Sequence, residues 1–193
     1  MADIDKTLES LYTHFILRDL AGKIVPGSIF YMALFSLFMK PDEMFKMHSN
    51  LPIMVSIILI AILWVLGLAV QAIGIQLHLI KYSNKYPPPN EFNKAQRQFI
   101  KNPDNKNIEI QRYERFEAIR EAYGNSSVSI LLSFFIWLIG YLLDPNCDLT
   151  HLFILLLVST ILYVALLIGH KETINNFDSY WEHSISNSDN QES

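Results

Sequence analysis

The chain has 193 residues, of which 51% are hydrophobic and 18% are charged, with a formal net charge of −4 and a mean hydropathy of +0.22. A soluble domain carries about 25% charged residues. This composition excludes a disordered chain and a nucleic-acid-binding domain of the basic kind, and the single cysteine, Cys147, excludes an intrachain disulfide framework. The apolar residues form four blocks, which indicates an integral membrane protein.

Residues 1–19 have the pattern of an amphipathic helix. Ile4, Leu8 and Leu11 fall on one face, and Asp5 and Glu9 fall on another. We expect this helix either to lie along the inner membrane surface or to pack against the protein's own cytoplasmic segment. The acidic, mixed sequence of this region predicts no cleavable signal peptide.

The first two apolar blocks are residues 20–39 and 51–80. The uncharged run Ile24–Met39 is short, so a first span (TM1, 20–39) needs Leu20–Lys23 as well, with Lys23 reaching back to the interface. The block Leu51–Ile80 is uncharged throughout, and as a helix it would be about 45 Å long against a hydrocarbon core of about 30 Å. We therefore predict TM2 over 51–80, with a cytoplasmic extension near Gln76 and His78.

Residues 81–123 form a cytoplasmic segment with nine basic and six acidic residues. The sequence YPPPN at 86–90 ends any continuation of TM2. We predict a short helix over 91–101 and a second helix over 107–123, which is rich in Glu–Arg neighbours. We interpret the charges as solvated helical faces with a positive-inside bias. The alternative is a binding surface for a protein or a nucleic acid, and the interleaved acidic residues disfavour direct nucleic-acid binding.

Two further apolar blocks predict TM3 at 124–143 and TM4 at 149–169, and the tail at 170–193 ends in a polar stretch that we expect to be disordered. Blocks that are apolar on all sides do not suit a soluble bundle, in which each helix keeps a polar face. The predicted fold is an all-α integral membrane four-helix bundle with an amphipathic N-terminal helix and a helical cytoplasmic loop. The alternative is three or two spans with a re-entrant block.

The distribution of Lys and Arg predicts the orientation. With four spans and both termini inside, thirteen of these residues lie in the cytoplasm and two lie outside. The predicted location is the inner membrane, with several passes and both termini cytoplasmic.

The sequence offers little support for catalysis, for a metal or for a cofactor. The six histidines are scattered, and neither a phosphate-binding glycine loop nor a nucleophile elbow occurs. Cys147 lies in the predicted outer turn, either as an inert thiol or in an intersubunit disulfide. We therefore expect a protein that is not an enzyme.

Small and polar residues recur on one face of TM2 and on one face of TM3. Small residues allow helices to approach closely, and polar ones can form hydrogen bonds between helices. These faces are either packing surfaces within one protomer, or oligomer contacts and pore linings. The candidates are Gly67, Gln71, Gly74, His78, Ser126, Ser129, Ser133 and Gly140.

The segment RDLAGKIVPG at 18–27, the paired apolar blocks and the charged helix with Arg112-Tyr113-Glu114-Arg115-Phe116 resemble small bacterial membrane proteins of antiphage systems. That group includes membrane accessory proteins of type VI CRISPR systems and membrane proteins of Kiwa and retron systems. The resemblance implies a homo-oligomer that alters inner-membrane permeability when a cytoplasmic sensor signals infection. The chain lacks the Arg-x4–6-His pattern of the ribonuclease-like accessory group.

The leading hypothesis is a membrane effector or accessory protein of antiviral defence, in contact with the lipid bilayer and with a cytoplasmic protein partner from the same operon. The alternatives are a passive anchor for a soluble partner, and a small channel or transporter unrelated to defence. The candidate partner-binding residues are Arg112, Tyr113, Arg115, Phe116 and Arg120.

Overall fold

The computed structural model describes residues 15–39, 41–49, 51–81, 107–143 and 149–189, and every regular element in these ranges is helical. A π-helix, Phe15–Ile24, leads into α1, Val25–Phe35. The remaining helices are α2 (Pro41–Ser49), α3 (Ile53–Gln76), α4 (Asn107–Leu143) and α5 (Leu149–Asp189). Most of the predicted N-terminal helix, the proline-rich segment, the short helix at 91–101, Cys147 and the last four residues lie outside the described residues.

Within the described ranges, three helices are long and apolar enough to cross a membrane. They are α3, the Arg115–Leu143 part of α4 and the Leu152–Ser179 part of α5. The protein buries 33% of the apolar window of α4 but only 11% of the windows of α3 and α5. α4 is therefore the central helix, whereas α3 and α5 present apolar faces that need lipid around them. The described chain has the architecture of an all-helical membrane protein.

The segment predicted as TM1 is the continuation of a longer helix. The chain is helical without interruption from Phe15 to Phe35, across the predicted boundary at residue 19. Hydrogen bonds link Asn125 to Gly22 and Trp137 to Ser36, so α1 runs parallel to α4. α1 has 11 residues, which is too few for a span without the π-helix before it.

α1 crosses α3 with almost no space between the two backbones. A Cβ atom on Gly67 would overlap the carbonyl group of Lys23, and a Cβ atom on Gly27 would overlap the carbonyl of Leu63. Glycine at these two positions lets the helices approach closely enough for their backbones to touch, which is a common way to pack helices in membranes.

Helix α3 ends at Gln76, before the end of the apolar block that predicted it. His78 adopts a positive φ of 57°. The His78 amide donates to the carbonyl of Ile75 (3.0 Å), and the Leu79 amide donates to the carbonyl of Gly74 (2.9 Å). This pair of bonds is a Schellman motif, which satisfies the last carbonyls of a helix. The turn takes His78 off the helical face that the sequence pattern assigned to it.

The chain after this turn folds back onto the bundle. Ile80 is buried together with Val70 of α3 and Val128 of α4. The space is available because residue 74 is glycine. A side chain at this position would overlap Ile80 and Val128. The C-terminal end of α3 is thereby fixed against α4.

Helices α4 and α5 form a long antiparallel pair. They contain 37 and 41 residues, or about 55 Å and about 60 Å of helix, roughly twice the thickness of the hydrocarbon core. Tyr123 contacts Gly169, and Arg120 contacts His170, so the predicted boundaries near residues 124 and 170 lie inside continuous helices. We call the parts beyond these contacts, residues 107–119 of α4 and 174–189 of α5, the stalk.

Helix α2 is attached to the end of α1 by a histidine. His48 donates from Nδ1 to the carbonyl of Met44 (2.7 Å), and its Nε2 accepts from the Tyr31 hydroxyl (3.3 Å). Met44 is buried. The short connection between α1 and α3 therefore lies against the bundle.

Candidate functional site

Ionisable and amide side chains are buried together where the stalk meets the apolar parts of the helices. We call this cluster the polar junction. Its members are Lys23, Glu117, Arg120, Glu121, Asn125 and His170, and none of them is more than 9% exposed. A buried charge lowers stability unless an opposite charge and hydrogen bonds compensate it. Each side chain of the junction should therefore have an identifiable partner.

The first part of the junction is an ion-pair network between the π-helix and α4. Lys23 Nζ lies 3.5 Å from Asp19 Oδ1 and 3.6 Å from Glu121 Oε2, and Arg18 Nε lies 3.9 Å from the same Glu121 oxygen. Trp64 of α3 adds a hydrogen bond from Nε1 to Asp19 Oδ1 (3.4 Å). Glu121 thus lies between two cations from another helix.

The second part of the junction joins α4 to α5 through Arg120. This side chain is only 1% exposed. Its guanidinium lies 5.2 Å from the centre of the Phe177 ring, in the geometry of a cation–π contact, and 3.7 Å from Glu117 Oε1. Phe177 is itself buried. The base of the stalk is therefore held by a buried charge and an aromatic ring.

His170 connects three segments at one point. Its Nδ1 donates to the carbonyl of Arg120 (3.1 Å), and its Nε2 accepts from the Lys81 amide (3.3 Å). This pattern requires a neutral ring with the proton on Nδ1. The ring lies against Gly124, where a Cβ atom would come within 3.0 Å of His170 Cε1. Gly124 therefore makes room for His170 inside a helix that stays continuous.

Asn125 and Ser129 attach α4 to the start of α1. Asn125 donates from Nδ2 to the carbonyl of Gly22, and Ser129 donates from Oγ to the carbonyl of Pro26, each at 2.5 Å. Gly22 lies near the end of the π-helix, and the residue four positions later is a proline, whose nitrogen has no hydrogen to donate to the Gly22 carbonyl as the helix becomes α-helical. A buried carbonyl in an apolar environment needs another donor, and Asn125 supplies it.

The residues predicted to pack helices or to line a pore lie mostly between helices of one protomer. Gly67 contacts Lys23, and Gly140 contacts Leu37. Ser133 donates to the Ser129 carbonyl of its own helix (2.8 Å). The buried members of the set are Gly67, Gln71, Gly74, Ser126, Ser129 and Ser133; Gly140 is half-buried and His78 is exposed.

The predicted partner-binding residues occupy different environments on α4. Arg115 is exposed, Phe116 is half-buried and Arg120 is buried. Arg112 and Tyr113 lie on the helix, and their side chains fall outside the described residues. Among the described side chains of this set, Arg115 offers an exposed cation at the base of the stalk.

The sequence patterns did not group the members of the junction. Lys23, Arg120 and His170 are far apart in the sequence, and only the folded helices bring them together. One feature of the sequence pointed to the contact between α4 and the start of α1. Pro26 leaves the carbonyl four residues earlier in need of a donor, and Asn125 and Ser129 are spaced by one helical turn on an apolar helix.

The junction has the properties of a structural joint. Its charges are paired within the protein, and the described residues contain no group of three or more His, Cys, Asp or Glu side chains that could hold a metal ion. Comparisons of the chain with protein-family models, curated proteins and solved structures find no match. Function must therefore be inferred from the arrangement of the helices.

Proposed function

We propose that this protein is a membrane-embedded accessory subunit that holds a soluble protein partner at the inner membrane through its stalk. The observation that carries the proposal is the unbroken course of α4 and α5 from apolar spans into the stalk. Helices that leave the bilayer as a packed pair present a rigid surface to the neighbouring aqueous phase. The bias of Lys and Arg supports the cytoplasm as that phase.

The surface at the base of the stalk suits a protein partner. Arg115, Lys171 and Glu172 are exposed, so both signs of charge are available on adjacent helices. Alternating charges favour a protein surface with a complementary pattern over the uniformly negative backbone of a nucleic acid. The resemblance to antiphage membrane proteins supports antiviral defence as the setting and the same operon as the source of the partner.

Photo-crosslinking in living bacteria tests this proposal. A photoreactive amino acid replaces Arg115 in the full chain, which is expressed with its neighbouring genes, and a second strain carries it at Ala61, an exposed position of α3. We expect a cross-link to a protein encoded by a neighbouring gene from position 115 and none from position 61. If positions 115 and 172 both give no such product, before and after phage infection, the anchor function is wrong.

The second candidate function is a change in membrane permeability, and one observation favours it. Four uncharged polar side chains are buried within the bundle, three of them on one face of α4, and we call them the polar seam: Gln71, Asn125, Ser129 and Ser133. Within the described residues, Asn125 Oδ1 has no hydrogen-bond partner. Separation of α1 from α4 would expose this seam to water, and homo-oligomers could extend it.

A voltage-sensitive dye distinguishes the two functions. For the permeability function we expect depolarisation only after infection, and a loss of that response in a variant with Gln71→Leu and Ser133→Ala. Thr160→Ala is the matched control, because this exposed hydroxyl binds only a carbonyl of its own helix. If the cells are protected from phage without any depolarisation, the permeability function is wrong and the anchor function remains.

A further inference from the structure

An apolar groove lies on the outer side of the bundle, close to the polar junction. Its volume is about 310 Å³. One wall is formed by Ala21 and Val25, the floor by Ala118 and Ala122 of α4, and the far wall by Leu166 of α5. The groove exists because three of these side chains are alanines between larger neighbours. It begins where the apolar part of α4 begins, at the same end as the stalk.

Cationic side chains stand at the stalk end of this groove. Arg115 is exposed and precedes Ala118 and Ala122 by three and seven residues, so it lies on the same face of α4. The Arg18 side chain is 47% exposed and precedes Ala21 in the π-helix.

The acidic groups nearby are directed elsewhere. The Glu121 side chain is 6% exposed and lies between Lys23 and Arg18, whose own side chain stays 47% exposed. Asp19 is bonded to Lys23 and Trp64. Glu117 lies 3.7 Å from the buried Arg120. Among the described side chains of the π-helix and of α4, the accessible charge at this end of the groove is therefore positive.

The lining of the groove favours an apolar occupant. Most of its side chains are apolar and three of them are alanines, so an alkyl chain can lie along it. Basic pockets between membrane helices on the cytoplasmic side bind the head groups of anionic lipids.

We propose that this groove binds one anionic phospholipid of the inner leaflet, with an acyl chain along Ala21, Ala118 and Ala122 and the phosphate between Arg115 and Arg18. The inference rests on insertion of the protein in a membrane and does not depend on a partner or on a permeability change. Bound lipid would fill the space between the π-helix, α4 and α5 beside the polar junction.

Thermal unfolding of the full chain in detergent tests the proposal, with dioleoyl phosphatidylglycerol as the probe. We expect this lipid to raise the melting temperature, and we expect dioleoyl phosphatidylcholine to have a clearly smaller effect. Glycerol 3-phosphate, which has the anionic group without the chains, should have none. Equal effects of the two lipids, or an effect of glycerol 3-phosphate as large as that of the lipid, would overturn the proposal.

Two variants locate the site, and two controls match them. Arg115→Gln should weaken phosphatidylglycerol binding about tenfold, because it removes a charge-assisted bond to phosphate. Ala122→Leu should weaken binding of both lipids by filling the groove. Lys171→Gln removes an exposed cation from α5, and Ala61→Leu adds the same side chain to an exposed position of α3.

Both controls should bind lipid as the unchanged protein does. Native mass spectrometry gives the retained lipid directly, so the Arg115→Gln result decides the proposal even if Ala122→Leu does not fold. Unchanged retention of phosphatidylglycerol by Arg115→Gln would show that the groove is not a specific lipid site.

Discussion

At the scale of single residues, the structure replaces several local expectations with long-range contacts. Arg120 belongs to a motif that predicts partner binding, but Phe177, more than fifty residues later, covers its guanidinium. The sequence places a boundary between two helices at residue 124, yet the helix continues there, and the absence of a side chain on Gly124 makes room for His170. Neither contact could be predicted from the sequence, because the partners meet only after α4 and α5 have packed together.

His78 provides the prediction at this scale. Its positive φ costs a residue with a side chain about 1–2 kcal/mol, and glycine avoids that cost. We expect His78→Gly to stabilise the protein by about 1 kcal/mol and to raise the melting temperature by about 2–4 °C in circular dichroism. His78→Ala is the control, because alanine keeps the steric cost and should bring no gain. An equal gain from alanine would show that the histidine ring, and not the backbone conformation, limits stability.

At the scale of the helices, composition predicts the existence of the elements better than their ends. The thirty-residue apolar block at 51–80 correctly predicts an apolar helix of spanning length. Its end at Gln76 depends on Ile80 folding onto Gly74 and Val128, which is a tertiary contact. The change in polarity along the sequence also predicts helix boundaries inside α4 and α5. Both helices continue across these boundaries, because no proline or turn interrupts them there.

The crossing of α1 and α3 yields a prediction for Gly67, with Gly140 of α4 as the control. Gly67→Ala places a methyl group on the Lys23 backbone, which cannot move without shifting a helix. We expect a loss of about 1–3 kcal/mol or more. Gly140→Ala meets only the end of the Leu37 side chain, so it should change stability by less than about 1 kcal/mol. Thermal unfolding of both variants in the same detergent checks this, and a similar loss in the two would contradict the close backbone contact.

At the scale of the whole molecule, α1 runs parallel to α4, as the predicted four-span topology requires, and the fourth span stays a prediction. Asn125 and Ser129 bind carbonyls of Gly22 and Pro26, so the start of α1 lies level with the middle of α4. An additional crossing by residues 15–35 would place residues 40–50 and 144–148 on the same side of the membrane. The charge bias predicts that this side is the outside.

Cys147 makes the predicted orientation of α4 and α5 testable, because it is the only cysteine in the chain and lies in the predicted outer turn. We expect a membrane-impermeant maleimide to label it in cells whose outer membrane has been made permeable. The control is the Cys147→Ser, Lys171→Cys double variant, whose thiol we expect to be labelled only after the inner membrane is lysed. The reverse pattern would invert the orientation and move the stalk to the other side.

The continuity of α4 and α5 has a mechanical consequence. The junction divides α4 into a stalk arm of about 24 Å before Tyr123 and a membrane arm of about 30 Å after it. Because Arg120, Phe177 and His170 join α4 to α5 at this level, a force on the stalk would act on both helices together. If α4 pivots there as a rigid rod, a sideways displacement of 1 Å at the stalk tip gives about 1.2 Å at the far end of the helix, in the reverse direction.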